Sequence, residues 1–176
     1  MAVFKKFLLL ALCSFSLSLH PGGETHLLSY AKGTLPTSGI LKKVKGFVYV
    51  DLDDDYIHSL IAFLQDEGFQ EPPYFGGDDL IGAHISVIYQ EETKKYSLND
   101  IEECGQKIDF VLKECRIVHP LRWQEIDEVF FIVVEAPQLD RIREKYGLPK
   151  PEFNYHITIG VRPKLLQEGS QPFVKI

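Results

Sequence analysis

The 176-residue chain is poor in cysteine, with three, and carries one tryptophan and one methionine. Three cysteines make no disulfide framework of the kind that staples small secreted scaffolds. Only Cys104 and Cys115 lie beyond the N-terminal segment, and the sequence leaves open a bridge between them or two free thiols. Positive charge is scarce too: 19 Lys and Arg stand against 25 Asp and Glu, a net charge of −6. An acidic surface repels polyanions, which excludes a long nucleic acid as ligand but leaves room for a small nucleotide or a short end held in a cleft. The apolar run Phe7 to Leu12 is too short to cross a bilayer comfortably as a helix.

What is present suits one globular domain plus a terminal extension. Hydrophobic residues make up 45% of the chain and aromatics 12%, enough for a sizeable core without staples. At the start, Lys5 and Lys6 precede the apolar run, and Cys13, Ser14, Ser16 and Ser18 follow it. Charged, apolar, then small is the order of a secretory signal, expected over residues 1–18 with cleavage after Ser16 or Ser18. Cys13 raises a lipid-anchored variant, but Leu12 is a poor residue before such a site. Cleavage leaves 17 basic against 25 acidic side chains, a charge near −8. The expected product is a monomer, secreted or periplasmic, with no stable membrane span.

Residues 19–42 read as a linker because Pro21-Gly22-Gly23, Gly33, Pro36 and Gly39 interrupt any periodicity. The domain is expected over residues 43–176. Phe47-Val48-Tyr49-Val50 predicts a strand. Asp53 to Asp55 cap a helix carried by Ile57, Leu60, Ile61 and Leu64 and stopped at Gly68. Glu71 to Gly77 is a loop and Ala83 to Tyr89 a second strand. Ser97 and Asp100 open a short helix with Ile101 and Cys104 inward. Lys107 to Val118 reads as strand, with room for a hairpin inside it, and Glu128 to Glu135 as another. Pro137 starts a helix that Gly147 ends, Tyr155 to Val161 is a strand, and Phe173-Val174 adds a possible edge strand. An internal repeat of order emerges: "FVYVDL", helix, loop and "AHISVI" are matched by "FFIVVEA", helix, loop and "YHITIG".

Strand side chains alternate between faces, so His84 shares a face with Ser86, and His156 with Thr158, while apolar neighbours fill the opposite faces. Gly82 and Gly160 fall on the same faces as the histidines and leave space for a ligand. Cleaving a phosphodiester needs a base for the attacking oxygen and an acid for the leaving oxygen. Two imidazoles titrating near neutrality can supply both, and hydroxyls beside them can hold the non-bridging oxygens. Short His-x-Ser/Thr triplets also arise by chance, as half-buried core histidines. Here both sit inside apolar strands at equivalent points of the repeat.

These paired motifs, "HISVI" and "YHITIG", resemble those of the 2H phosphoesterase superfamily, which includes RNA 2′-5′ ligase-like proteins and 2′,3′-cyclic nucleotide phosphodiesterases. The likeness of element order runs from about Lys43 to Pro163. It implies an α+β fold of duplicated strand–helix–strand units, with two antiparallel sheets around a central cleft in pseudo-twofold symmetry. It also implies His84 and His156 as the acid/base pair, with Ser86 and Thr158 holding phosphate. The expected activity is a metal-independent phosphoric diester hydrolase acting on a 2′,3′-cyclic nucleotide or a short RNA end with a cyclic phosphate. A catalytically silent nucleotide-binding module using the same cleft is the alternative. No cofactor or metal is expected, because a two-histidine metal site lacks the third and fourth ligands zinc prefers. Tyr74, Phe75 and Trp123 are candidate base-stacking residues, and Arg122 and Arg162 candidate phosphate partners. Asp51 and Asp53 to Asp55 lack the glycine and distal glutamate of a calcium loop, and His58 and His119 carry no signal of their own.

Export has a direct test. Protein recovered from the producing cell is expected to begin at Leu17 or Leu19 on N-terminal sequencing; an intact Met1 on cytosolic protein would remove the argument.

Overall fold

The computed structural model describes residues 21–73, 81–121 and 123–164. The expected signal over residues 1–18, Tyr74, Phe75, Arg122 and the edge strand expected at Phe173-Val174 lie outside the described residues.

Alternation and β-branched content build seven strands: β1 Ser38–Val44, β2 Phe47–Asp51, β3 His84–Ile88, β4 Lys107–Asp109, β5 Val111–Val118, β6 Ile126–Glu135 and β7 His156–Pro163. Among the described residues four helices accompany them: α1 Pro21–Thr34, α2 Asp55–His58, α3 Gln90–Lys95 and α4 Pro137–Lys145. The strands form one antiparallel sheet in the order β4-β1-β2-β3-β7-β6-β5. The α+β class expected from the sequence holds. Where two sheets were expected, one ladder runs through both halves, joined at the pair Ile85 and Ile157. The two motif strands are innermost, each flanked by the first strand of its own repeated unit.

The stretch read as a linker is structured. Helix α1 buries Leu27 and Ala31 completely, and β1 buries Leu41 and pairs with both β2 and β4. Glycine and proline hid this because Gly39 is there for close approach: a Cβ on it would overlap the Asp51 carbonyl. Lys45 and Gly46, with φ of 48° and 88°, make the two-residue turn joining β1 to β2, a left-handed pair that glycine favours.

Strands β4 and β5 are separated by Phe110 alone yet sit at opposite ends of the sheet order. They are therefore not a hairpin. Consecutive residues are about 3.8 Å apart, so the two edges of the sheet meet at Phe110 and the sheet is curled. Phe110 is buried beside Tyr56, ring centroids 6.2 Å apart. One apolar cluster collects Leu27, Leu41, Val50, Tyr56, Leu60, Ile85, Ile132, Leu139 and Ile157 from α1, the strands and the other helices.

Two helices differ from expectation. The Asp53-to-Gly68 helix breaks after His58 into the 3-10 turns Ile61–Phe63 and Gln65–Glu67, ending at Gly68 with φ of 81°. No helix follows Ser97; turns fill that stretch, Ile101 is buried and Cys104 is exposed. The helix lies earlier, at α3, where Glu92 accepts the Tyr89 N–H at 2.9 Å. Helix α4 begins at Pro137 and ends before Gly147, with φ of 68°, as its flanking residues predict. Both Cys104 and Cys115 are free thiols, and burial pushes Cys115 up to about 12.

Among the described residues Arg143 is the one buried charged side chain. From α4 it donates to the Val87 carbonyl at 2.6 Å, to the Pro149 carbonyl at 2.8 and 3.0 Å, and to both Glu92 oxygens at 2.7 and 3.1 Å. It thus ties β3, α3 and the segment leading to β7 to one point. Burial raises the Glu92 carboxyl, but the bonds from Arg143 and Tyr89 outweigh it and hold the group below its ordinary value. A depressed carboxyl contributes stability above its unfolded value and loses it as pH falls through the folded one, so the tie is intact at neutrality. Arg143→Ala is expected to cost about 3 kcal/mol, because it strands a partly buried carboxylate and two carbonyls. Urea unfolding at pH 7 measures it, and an unchanged midpoint would refute the tie.

Candidate active site

The burial of β3 reads half-buried at His84 and Ser86 and buried at Ile85 and Val87; β7 repeats the pattern at His156 and Thr158 against Ile157 and Ile159. The expected alternation is present in both strands. Pairing of Ile85 with Ile157 puts the strands side by side. Continued one residue each way, that antiparallel register sets His84 opposite Thr158 and Ser86 opposite His156. The histidines occupy one diagonal of a four-residue square and the hydroxyls the other. Diagonal neighbours on a sheet face are about 7–8 Å apart, a span that suits one phosphoryl group between two imidazoles.

The histidines are held alike. His84 Nδ1 lies 2.7 Å from the Gly82 carbonyl and His156 Nδ1 lies 2.8 Å from the Asn154 carbonyl. A carbonyl only accepts, so each Nδ1 carries the proton and donates it, which makes each Nε2 the basic nitrogen. Burial lowers both imidazoles below their ordinary value; at His84 the Gly82 carbonyl and Asp51 oppose this while His156 adds to it. Both are therefore mainly neutral at pH 7, and charging one disfavours charging the other.

Flanking strands supply neighbours that the sequence motifs do not reveal. On β2, Asp51 pairs with His84 and Tyr49 with Ser86; on β6, Phe131 pairs with Thr158 and Val133 with His156. Phe47 and Tyr49 meet the His84 ring edge-on at 5.8 and 5.9 Å, and Phe131 lies 4.8 Å from the His156 ring. The Tyr89 hydroxyl is within hydrogen-bonding reach of Ser86. Only cross-strand register brings these side chains in. The alternation in "FVYVDL" marks Phe47, Tyr49 and Asp51 as one face, but not which face.

Asp54 has a different task from the one its sequence suggests. At the start of α2 it is Asp53 whose Oδ1 accepts the Asp55 N–H, at 3.0 Å; Asp54 makes no cap bond, and its Oδ1 accepts the Ala83 N–H at 2.9 Å. A Cβ on Gly82 would overlap that carboxylate. Gly82 is thus small so that Asp54 can grip the backbone just before His84, and it leaves no room for a ligand. Gly160 likewise serves packing: a Cβ there would come within 2.9 Å of Ile61 and 3.3 Å of Phe69.

The other candidates divide. Trp123 packs against the cluster of Ile126, Val129 and Val161, against which Phe131 also packs. Arg162 sits six residues along β7 from His156, about 20 Å at the usual strand rise. Its guanidinium bonds the Glu67 carbonyl at 2.8 Å, pairs with Glu128 and lies 5.0 Å from the Phe69 ring centroid. Tyr74, Phe75 and Arg122 are among the residues not described. Among the described residues one His/Asp/Glu group stands close enough to hold a metal ion: His119, Asp127 and Glu128. It lies at the Arg162 end of the sheet, and Arg162 already neutralises Glu128.

Two imidazoles on one sheet face, diagonal to each other and beside two hydroxyls, are groups that can move protons on both sides of a phosphoester. A family model described as "Swiss Army Knife, 2H phosphoesterase domain" matches residues 48–166, and the chain belongs to that family. No curated protein matches the chain, and no solved structure does.

Gly82→Ala is expected to lower turnover at least 10-fold, because the displaced backbone carries the carbonyl that orients His84. Steady-state kinetics beside a thermal melt checks it. Wild-type kinetics in a folded variant would show that the Asp54 grip has no bearing on the site.

Proposed function

We propose that the protein opens a cyclic phosphodiester, a 2′,3′-cyclic nucleotide or the cyclic phosphate of a short RNA end, by acid/base catalysis between His84 and His156. The observation that carries this reading is the matched pair of imidazoles, each with Nδ1 committed to a carbonyl two residues earlier and Nε2 left as the basic nitrogen. Membership of a phosphoesterase family supports the reaction class. One histidine takes a proton from the attacking water and the other protonates the departing ribose oxygen. Ser86 and Thr158 donate to the non-bridging oxygens, where charge accumulates in the transition state. The chemistry asks for no metal ion, and the charged-then-apolar order from Lys5 to Leu12 supports an exported enzyme.

His84→Ala and His156→Ala are each expected to lower turnover of 2′,3′-cyclic AMP by about 10²–10⁴, the scale for losing a positioned acid or base. The double variant is expected to fall far short of the product of the two losses. Ser86→Ala and Thr158→Ala remove about 1–3 kcal/mol of stabilisation each. Because burial lowers both imidazoles, and the active form holds one proton between them, kcat/KM should trace a bell whose maximum lies below pH 6.5, the ordinary histidine value. Activity that survives either histidine substitution, or that chelator abolishes, would sink the mechanism.

A further inference from the structure

We infer that the buried Arg143–Glu92 pair is a positioning device for Ser86: it sets the end of β3 and the Tyr89 that follows, so that Ser86 keeps its hydroxyl proton for the phosphate. This rests on the proposed phosphoesterase reading, which makes Ser86 a phosphate-holding group. It adds Arg143, Glu92 and Tyr89 as positioning residues that touch no reacting atom.

Burying an ion pair is unfavourable unless further bonds satisfy both partners. Here those bonds converge on one stretch of backbone. The Arg143 guanidinium donates to the Val87 carbonyl at 2.6 Å, one residue after Ser86, and to both Glu92 oxygens. Glu92 in turn accepts the Tyr89 N–H at 2.9 Å. The chain on both sides of Ile88 is therefore fixed from a single buried point.

Helix α3, which carries Glu92, is braced a second time. Gln90 donates to the Lys45 carbonyl at 2.7 Å, and the buried Thr93 hydroxyl donates to the Gly46 carbonyl at 2.8 Å. The β1–β2 turn thus holds the same helix that Arg143 holds. Tyr89 stands between the two elements, with β3 ending just before it and α3 starting just after it. Its hydroxyl is the group that reaches Ser86. A hydroxyl has one proton to donate and two lone pairs with which to accept. When Tyr89 donates to Ser86 Oγ, the Ser86 proton is left for a non-bridging phosphate oxygen. A hydroxyl that accepts one bond also donates a stronger one.

Among the described residues Thr158 has no matching tie. Its flanking cross-strand partner is Phe131, whose side chain offers no polar atom. On that arm the bonds from Arg143 go to the Pro149 carbonyl, well before Thr158 in the chain. The two hydroxyls that the repeat makes equivalent are held differently, so the effect of the pair should fall on Ser86.

Double-variant kinetics on the full chain with 2′,3′-cyclic AMP test this. Tyr89→Phe removes only the hydroxyl, and Glu92→Gln removes the charge while keeping the shape. Each should lower kcat by about 10-fold with KM little changed, because the bond each supports strengthens as charge gathers on the phosphate. Each loss should vanish in a Ser86→Ala background and persist in full in a Thr158→Ala background. A merely structural role would lower activity in both backgrounds alike. Thermal melts check that every variant is folded, and Arg143→Lys, which keeps the charge, replaces Glu92→Gln if that variant does not fold. No loss from either substitution, or a loss that persists in Ser86→Ala, overturns the positioning role and leaves the phosphoesterase reading standing. A substrate-free measurement separates the two failures. Glu92→Gln, or Arg143→Lys in its place, should shift the backbone amide NMR signal of Ser86 and leave that of Thr158 unmoved. Wild-type protein that turns over no cyclic phosphodiester removes the phosphoesterase reading, and a Ser86 signal that does not respond removes the positioning role.

Discussion

One antiparallel pairing carries the rest of the site, that of Ile85 with Ile157. It joins the two halves of the sheet, buries the apolar faces of both motif strands in the common core, and brings two imidazoles and two hydroxyls to the opposite face. Side chains alternate with a period of two, so a slip of one residue in either strand would send a histidine into the core and an isoleucine into the cleft. The register is held by burial: Ile85, Ile157 and Ile159 are fully buried, and Val87 nearly so.

Around that pairing the protein commits polar groups to orientation. Asp54 grips Ala83, Gly82 offers its carbonyl to His84, and Asn154 does the same for His156. Arg143 binds the carbonyls of Val87 and Pro149, one in each motif arm, and so couples the position of one strand to the other. Such ties matter because proton transfer depends on placement to within a fraction of an ångström. Half-burial of the histidines then sets their protonation, since a desolvated imidazole favours its neutral form.

Much of this was legible beforehand. The strand assignments at Phe47 to Val50 and at both motifs held because alternation and β-branched content are local properties. So did the ends of α4, where Pro137 and Gly147 act through their own backbone preferences. The α+β class followed from element order. The misreadings share a cause. Residues 19–42 read as linker because glycine and proline interrupt the periodicity, whereas Gly39 is small so that another backbone can approach it. Asp53 to Asp55 read as helix caps; Asp53 does bond the first turn, but the partner of Asp54, Ala83, is 29 residues away. Lys107 to Val118 was read as a strand with room for a hairpin, although its two halves serve opposite edges of a curled sheet. Arg162 looked available for phosphate, but Glu128, Glu67 and Phe69 occupy it.

The sequence by itself determined which residues could carry the chemistry: two His-x-Ser/Thr triplets in apolar strands, each with its polar side chains on one face. That information is covalent and local, because alternation follows from strand geometry alone. Only the tertiary structure decided that the two faces coincide, that β2 brings Phe47, Tyr49 and Asp51 beside His84 while β6 brings Phe131 beside His156, and that Arg162 is turned elsewhere. Those outcomes depend on strand order and register, which are set by how the apolar faces of distant segments pack together, and no short stretch of sequence encodes them.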